Sequence, residues 1–421
     1  MEIETIRTGP LSNRGITVCR GCHGGELVSI LDLDVQPLAN ELLSSATSPE
    51  SLYPLHLRMC ARCGLGQVGE FVPPDRIFSN YPYLSSVSSS WVAHARSFAA
   101  TMTKQLKLGA SDLVVDVASN DGYLLRGFLD LGVPVLGVEP AQNIASIAQE
   151  TGIETLPVFL GVETARQIVE SRTQPRLVTA NNVLAHVPDL NDFVGGLSVL
   201  CGSHTVITVE NPSFLNLLLG TQFDTIYHEH FSYLSVIAVS ALVARHDLEL
   251  VRVEELPTHG GSYRYWIVRR GNGSDDGTVE AAIAREVAGG LLSNQLWVDF
   301  EMRSRATISS FRERLSEMTT NGSRIAAYGA AAKGNTLLNA AGVTNQEIEL
   351  VADGSIEKQG KFLPGSRIAV VAPNELARYG PSDVLVLPWN LASEISVIMS
   401  ELVPDARCWK AVPAMTLLGA L

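Results

Sequence analysis

Positive charge is scarce in this chain: 31 lysines and arginines stand against 44 aspartates and glutamates, for a net charge of −13. That balance excludes nucleic-acid binding through bulk electrostatics, because no basic stripe is present to displace counterions from a phosphate backbone. Any bound phosphate needs a local cluster. Long apolar runs are also missing. No stretch reaches the ~18 to 20 residues that span a bilayer, and the opening MEIETIRTGPLSN has neither the basic nor the apolar part of a secretory signal. A cytoplasmic protein with no membrane partner is expected. The dinucleotide fingerprint G-x-G-x-x-G does not occur, nor does a Tyr-x-x-x-Lys pair in a suitable context, which disfavours a nicotinamide-dependent reductase or epimerase.

What is present suits a soluble α/β protein: 46% hydrophobic residues, 18% charged and 35 glycines. At ~100 to 200 residues per domain the chain should hold two or three. The composition breaks it into a segment of residues 1–78, a second of 79–245 and a third of 246–421.

Cysteine is limited to six residues, and four of them are paired in sequence. Cys19-Arg-Gly-Cys22 and Cys60-Ala-Arg-Cys63 are two knuckles separated by 37 residues. Four thiolates in that pattern suit tetrahedral Zn2+ with every position filled, hence a structural metal and not a catalytic one. Disulfides are the competing reading, disfavoured in a reducing cytoplasm. Cys201 and Cys408 sit in apolar surroundings and read as buried structural thiols.

In the second segment the apolar run Leu113 to Val117 reads as a buried strand, and a Ser-Asn-Asp-Gly turn follows it. Leu124 to Leu131 has helical spacing, and a second run, Val133 to Val138, ends in Glu139. This βαβ unit places Asp116, Ala118, Asn120, Asp121 and Gly122 in a loop beside an acid that can accept ribose hydroxyls. With one glycine the loop offers no diphosphate cradle; it suits a zwitterionic nucleoside such as S-adenosylmethionine. A further strand, Leu177 to Ala180, brings Asn181, Asn182 and His186 to the same sheet edge, although these could equally cap the next helix.

The third segment contains a strand in SYRYWIVRR, a long amphipathic helix, and a second strand, turn and helix in RIAAYGAAAKGNTLLN. Free N-H groups at that helix start, with Lys333 and Asn335, make an anion site, with close packing as the plain alternative. His259, before two glycines in HGGSYR, reads as a turn residue against a ligand or simply as a turn.

The stretch YHEHFSYLS, residues 227–235, remains. It does not match the His-Glu-x-x-His metal pattern. In a strand His228 and His230 would point the same way, but no third ligand is nearby. A general-base site or imidazoles satisfied in a polar loop are the other readings.

Taken together and in order, the four-cysteine knuckle, VASNDGYLL, GVEPA, YHEHFSYLS, HGGSYR, YGAAAKGNTLLN and VADGSIEKQGKFLPG resemble the sugar C-methyltransferase family over nearly the whole chain. Ala118-Ser119 departs from the Gly-Ser of many relatives. The resemblance implies an N-terminal zinc-binding domain (1–78), a central Rossmann-like S-adenosylmethionine methyltransferase domain (79–245) and a C-terminal Rossmann-like domain holding a sugar nucleotide (246–421). It also implies methylation beside the 4-ketone of a TDP-linked deoxysugar in antibiotic biosynthesis, by a monomer, at C-3 or alternatively C-5. His230 matches the base, with Tyr227, Glu229, His186 and Tyr81 around it. Tyr83, Lys333, Asn335 and His259 fall to the substrate. A non-catalytic sugar-nucleotide binder that kept the fold would show a degraded donor loop or lack His230; neither is seen.

Overall fold

The computed structural model describes residues 16–73, 77, 84–87 and 89–419. Tyr81 and Tyr83 lie outside the described residues. Alternating patterns in LVSILDLDVQ and YPLHLRMC give two antiparallel strands, β1 (Leu27–Gln36) and β2 (Tyr53–Cys60), that bury Leu31, Leu33, Leu55, Leu57 and Met59. The short β3 (Gly66–Gln67) pairs with β2 on one side. On its other side it pairs with a strand from far along the chain, Ser232–Tyr233. The N-terminal sheet is therefore completed by residues that directly follow His230.

Fully buried apolar runs form the parallel centre of a second sheet: β4 (Val114–Val117), β5 (Val135–Val138), β6 (Thr155–Leu156), β7 (Leu177–Asn181) and β8 (Val206–Pro212). Ser232–Tyr233 is β9, and β10 (Leu248–Leu256) and β11 (Ser262–Arg269) follow it. The order across the sheet is β10-β11-β8-β7-β4-β5-β6, and β4 pairs in parallel with both β5 and β7. The strand order reverses at β4, so a crevice opens beyond its carboxyl end, where such sheets bind ligands.

The expected boundary at 245/246 falls too early. Strand SYRYWIVRR, assigned to the C-terminal segment, pairs antiparallel with β8 through Tyr265 opposite Val209, and β10 pairs with it in turn. Tyr263, Tyr265 and Ile267 are buried in the core of this sheet. An apolar strand carries no mark of its partner in sequence, so the pairing was not visible there.

A third sheet has the order β14-β13-β12-β15-β16-β17: β12 (Ile325–Tyr328), β13 (Leu350–Ala352), β14 (Ala369–Val371), β15 (Asp383–Val386), β16 (Arg407–Lys410) and β17 (Thr416–Leu417). All but β17 run parallel, the second Rossmann-like unit expected. The helix Asn294–Thr320 starts where Ser293 Oγ accepts from the Gln295 N-H. Its stripe Leu296, Trp297, Phe300, Phe311 and Leu315 joins one hydrophobic cluster that includes Leu31 and Leu57 of the first sheet and Leu337 and Leu385 of the third. N-terminal and C-terminal parts thus share a core. Among the described residues no helix is long and apolar enough to cross a membrane.

Candidate active site

The four knuckle sulfurs converge. All lie within 4.8 Å of one another, with Cys19 and Cys63 at 3.6 Å and Cys22 and Cys60 also at 3.6 Å. Sulfurs bound at ~2.3 Å to a tetrahedral zinc stand about 3.8 Å apart, so the donor set fits Zn2+. Among the described residues this is the only group of histidine, cysteine and carboxylate side chains able to hold a metal. Cys201 is buried and Cys408 half-buried; neither is bonded to another cysteine.

YHEH is not a strand. Residues 227–230 form a turn closed by the His230 N-H donating to the Tyr227 carbonyl at 3.0 Å. The two histidines therefore diverge. His228 turns to the N-terminal sheet, donating from Nε2 to the Tyr53 carbonyl at 3.2 Å, with its ring edge-on to Tyr53. Burial lowers its pKa to about 4. This is a role in the fold.

His230 faces a different group. Its Nδ1 lies 2.9 Å from the Thr225 carbonyl. A carbonyl only accepts, so Nδ1 carries the proton and Nε2 the lone pair. The Tyr227 hydroxyl, 2.8 Å away, donates to that lone pair. The His186 ring meets His230 edge to face at 4.8 Å. Desolvation holds the His230 pKa well below its usual value, and His186, Lys333 and His259 push it in the same direction. It is neutral at pH 7 and able to accept a proton.

The Nδ1 of His186 lies 2.7 Å from the Glu229 carbonyl, which fixes the proton there and leaves Nε2 an acceptor. Burial lowers its pKa to about 4, so a second proton is not held. In this tautomer the hydroxyl of Tyr227 is the donor beside His230. Glu229 is 3% exposed, and its Oε1 accepts from the Asn40 N-H at 3.1 Å. Its Oε2 is buried without a hydrogen bond. Burial raises its pKa.

At the β4 edge, Ala118, Asn120 and Gly122 have φ of +54°, +51° and +78°. At Ala118 this left-handed backbone is carried by a residue with a Cβ, where a glycine would be unstrained. Glu139 holds the loop: Oε2 accepts from the Asn120 N-H and Oε1 from the Ala141 N-H, both at 2.9 Å. Asn120 Oδ1 and Asp121 Oδ2 accept from the backbone N-H groups of Ser85 and Ser86, so the 85–87 turn covers the loop. Asp121 Oδ1 and Asn181 Oδ1 are buried without partners, as are both polar atoms of the Asn211 side chain at the end of β8. Orphaned acceptors and donors around a left-handed loop fit a ligand with ribose hydroxyls and an ammonium group, and so fit S-adenosylmethionine. Asn182, at φ +55°, turns the chain out of β7. Asp116 does something else: it accepts from Thr179 Oγ1 at 2.5 Å and ties β4 to β7, with burial raising its pKa to about 7.

From the third sheet, Lys333 in the first turn of helix Ala332–Ala340 donates to Asn390 Oδ1 at 2.7 Å and sits 4.7 Å from the Trp389 ring. Asn335 is buried, with Oδ1 unpaired. His259 is edge-on to Trp91 at 5.5 Å, and burial lowers its pKa to about 4, with Lys333 adding to the fall. Sequence reasoning passed over Thr225, Asp224, Trp389 and Trp91, which carry no motif. A cavity of about 610 Å3 between helix Asn294–Thr320 and Trp409–Met415 is lined by none of these residues.

Residues 19–78 match a zinc binding domain model, and residues 257–409 match a C-methyltransferase C-terminal domain model. The chain is 34% identical over 388 residues to the C-methyltransferase NovU of Streptomyces niveus, covering 91% of this chain and 92% of that one. It is 27% identical over 116 residues to a ubiquinone biosynthesis O-methyltransferase of Rhodopseudomonas palustris, covering 26% of this chain and 46% of the relative. Among solved structures, the magnesium protoporphyrin IX methyltransferase of Synechocystis PCC 6803 with bound SAH matches 42% of this chain and 83% of its own, at 16% identity and a TM-score of 0.33. Being 34% identical to NovU over nearly its whole length, and matched by both domain models, the chain belongs to the C-methyltransferase family.

Proposed function

We propose that the protein methylates the carbon beside the 4-ketone of a TDP-linked deoxysugar, at C-3, in antibiotic deoxysugar biosynthesis, and that it acts as a monomer. The observation that carries this is the Tyr227 to His230 hydrogen bond with the tautomer set by Thr225. S-adenosylmethionine, when bound, supplies an electrophilic methyl group and needs no metal activation.

A carbon beside a ketone is weakly acidic, and the Tyr227 hydroxyl already occupies the His230 Nε2 lone pair. The substrate C-H proton passes to the Tyr227 oxygen as the Tyr227 hydroxyl proton passes to Nε2, leaving an enolate. The enolate carbon takes the methyl, and the C-S electron pair stays on sulfur. The entering diphosphate offsets the Lys333 charge, which adds to burial in weakening His230 as a base. Lys333 takes that diphosphate, Asn335 and His259 line the same side, and the orphaned Glu229 Oε2 accepts from a sugar hydroxyl or amine.

The test is methyl transfer from labelled S-adenosylmethionine to a panel of TDP-4-keto sugars, with the methylated carbon read by NMR. Product at C-3 is expected. Methylation at C-5 moves the assignment to the other flanking carbon, and absence of transfer to every keto sugar overturns the reading.

A further inference from the structure

The turn that fixes the His230 tautomer also carries Asp224, a carboxylate that is 0% exposed. Its Oδ2 accepts from the Trp389 indole N-H at 2.7 Å, a contact between chain segments 165 residues apart. Its Oδ1 is buried without a hydrogen bond. The Trp389 ring lies beneath the Lys333 ammonium at 4.7 Å, and the next residue, Asn390, takes a Lys333 proton at 2.7 Å. Trp389 is also fenced from the other side: Gly260 has φ +87°, and a Cβ there would stand 2.7 Å from Trp389 Cη2 and 2.6 Å from Gln222 Nε2. Residues 223–225 pack in turn on helix Ala332–Ala340, which bears Lys333. One short turn therefore holds the His230 proton at Thr225 and the aromatic platform of Lys333 at Asp224.

We propose that Asp224 is a positioning residue that sets Lys333, through Trp389, at a fixed offset from His230. Burying a carboxylate is costly, and Asp224 is tolerated because the Lys333 charge, the Trp389 indole N-H and the backbone N-H groups of Asp224 and Thr225 favour its charged form. The arrangement joins the third sheet to the catalytic turn by a rigid ring instead of a flexible side chain. An ammonium on an unsupported four-carbon stem samples many positions; one resting on a pinned indole does not. A substrate anion at Lys333 is then presented to Tyr227 and His230 in one register. The inference rests on the proposed sugar-nucleotide reading for its kinetic arm, and has an arm independent of it.

Three variants test it: Trp389→Phe keeps the ring and removes the donor, Asp224→Ala removes the acceptor, and Asp224→Asn keeps an acceptor oxygen. Trp389→Phe and Asp224→Ala should each lower kcat/KM for the keto sugar nucleotide by at least about tenfold while the KM for S-adenosylmethionine stays within about twofold. Asp224→Asn should recover to within about threefold of the parent. The independent arm uses 15N-tryptophan-labelled protein: the Trp389 indole N-H resonance, assigned by its loss in Trp389→Phe, should shift in Asp224→Ala and stay near its parent position in Asp224→Asn. If no keto sugar is methylated by the parent protein, the functional reading fails while the indole resonance still decides the contact. Parent-like kcat/KM in Trp389→Phe, equal damage to both substrates, or an indole resonance unmoved in Asp224→Ala overturns the proposal. Should Asp224→Ala not fold, Trp389→Phe alone carries the kinetic comparison.

Discussion

Arg20, between the first two cysteines, donates from its guanidinium to the backbone carbonyl of Phe231, the residue that follows His230. The same guanidinium donates to the Val68 carbonyl at 2.9 Å, and the Val68 N-H donates to the Phe231 carbonyl at 3.1 Å. The four-cysteine knuckle is thus the abutment of the Tyr227 to His230 turn, through Arg20, β3 and β9.

Metal removal should therefore cost activity without touching any catalytic atom. Cys60→Ser, or dialysis against a strong chelator, is expected to release one zinc per chain, lower the melting temperature and abolish methyl transfer, with zinc measured by atomic absorption. Arg20→Ala keeps all four thiolates. Loss of its charge-assisted bonds to carbonyls should cost about 2 kcal/mol in denaturant unfolding, with kcat falling while the zinc content stays at one.

Much of this site was legible in sequence, and the part that was not has a physical cause. The knuckles were readable because zinc requires four thiolates at short spacings. The donor loop was readable because a buried strand, a turn and a helix occur in order with an acid after the next strand. The bond from Thr179 to Asp116 was not readable, because a carboxylate at a strand end looks the same in sequence whether it faces a ligand or ties a ladder. The place of β11 depended on pairing with β8, whose partner residues lie 50 to 60 positions earlier, which no local pattern records. In a strand both histidines of YHEH would point one way; the Tyr227 to His230 turn is what sends them apart, and no local pattern records it. Asp224 and Trp389 belong to no motif, and their relation exists only after folding.

The proton path predicts non-additive losses. His230→Asn should reduce kcat by a factor on the order of 10^2 to 10^4. Tyr227→Phe should do nearly the same, and the double variant should be no worse than either single one. Wash-in of deuterium from D2O at the substrate carbon, measured without S-adenosylmethionine, isolates proton removal. A Tyr227→Phe protein that exchanges at the parent rate would show that His230 acts directly.

Acid should unfold the protein before it silences the base. His186, His228, His230 and His259 all have folded pKa values below 6.5, three of them at about 4. Below pH ~6.5 the unfolded chain binds protons that the native one refuses, so stability falls as pH drops from there toward the folded values. Asp116 and Asp224, raised to about 7 and about 6, run the other way and return part of the loss. The melting temperature should fall as pH drops below about 6.5. The acid limb of kcat/KM should then follow the loss of folded protein instead of a single ionisation near 6.5, and parallel melting curves and rates at each pH check this.

The donor loop should be separable from the sugar side by one methyl group. Gly122 has φ +78°, and a Cβ there would stand 2.4 Å from Ile153 Cδ1, a buried side chain. Gly122→Ala therefore meets both left-handed strain, about 1 kcal/mol or more, and a core contact that has to shift. Its neighbours Asn120 and Asp121 are the residues anchored by Glu139 and by the Ser85 and Ser86 N-H groups, so the displacement propagates into the loop. The KM for S-adenosylmethionine should rise by roughly tenfold, since about 1.4 kcal/mol of lost binding is a factor of ten. The KM for the sugar nucleotide should stay near the parent value, because Lys333 and Trp389 belong to the third sheet and touch none of these residues. Calorimetric titration with S-adenosylmethionine and with TDP separately reads the two affinities, and an equal loss in both would mean that the loop and the sugar side fold as one unit.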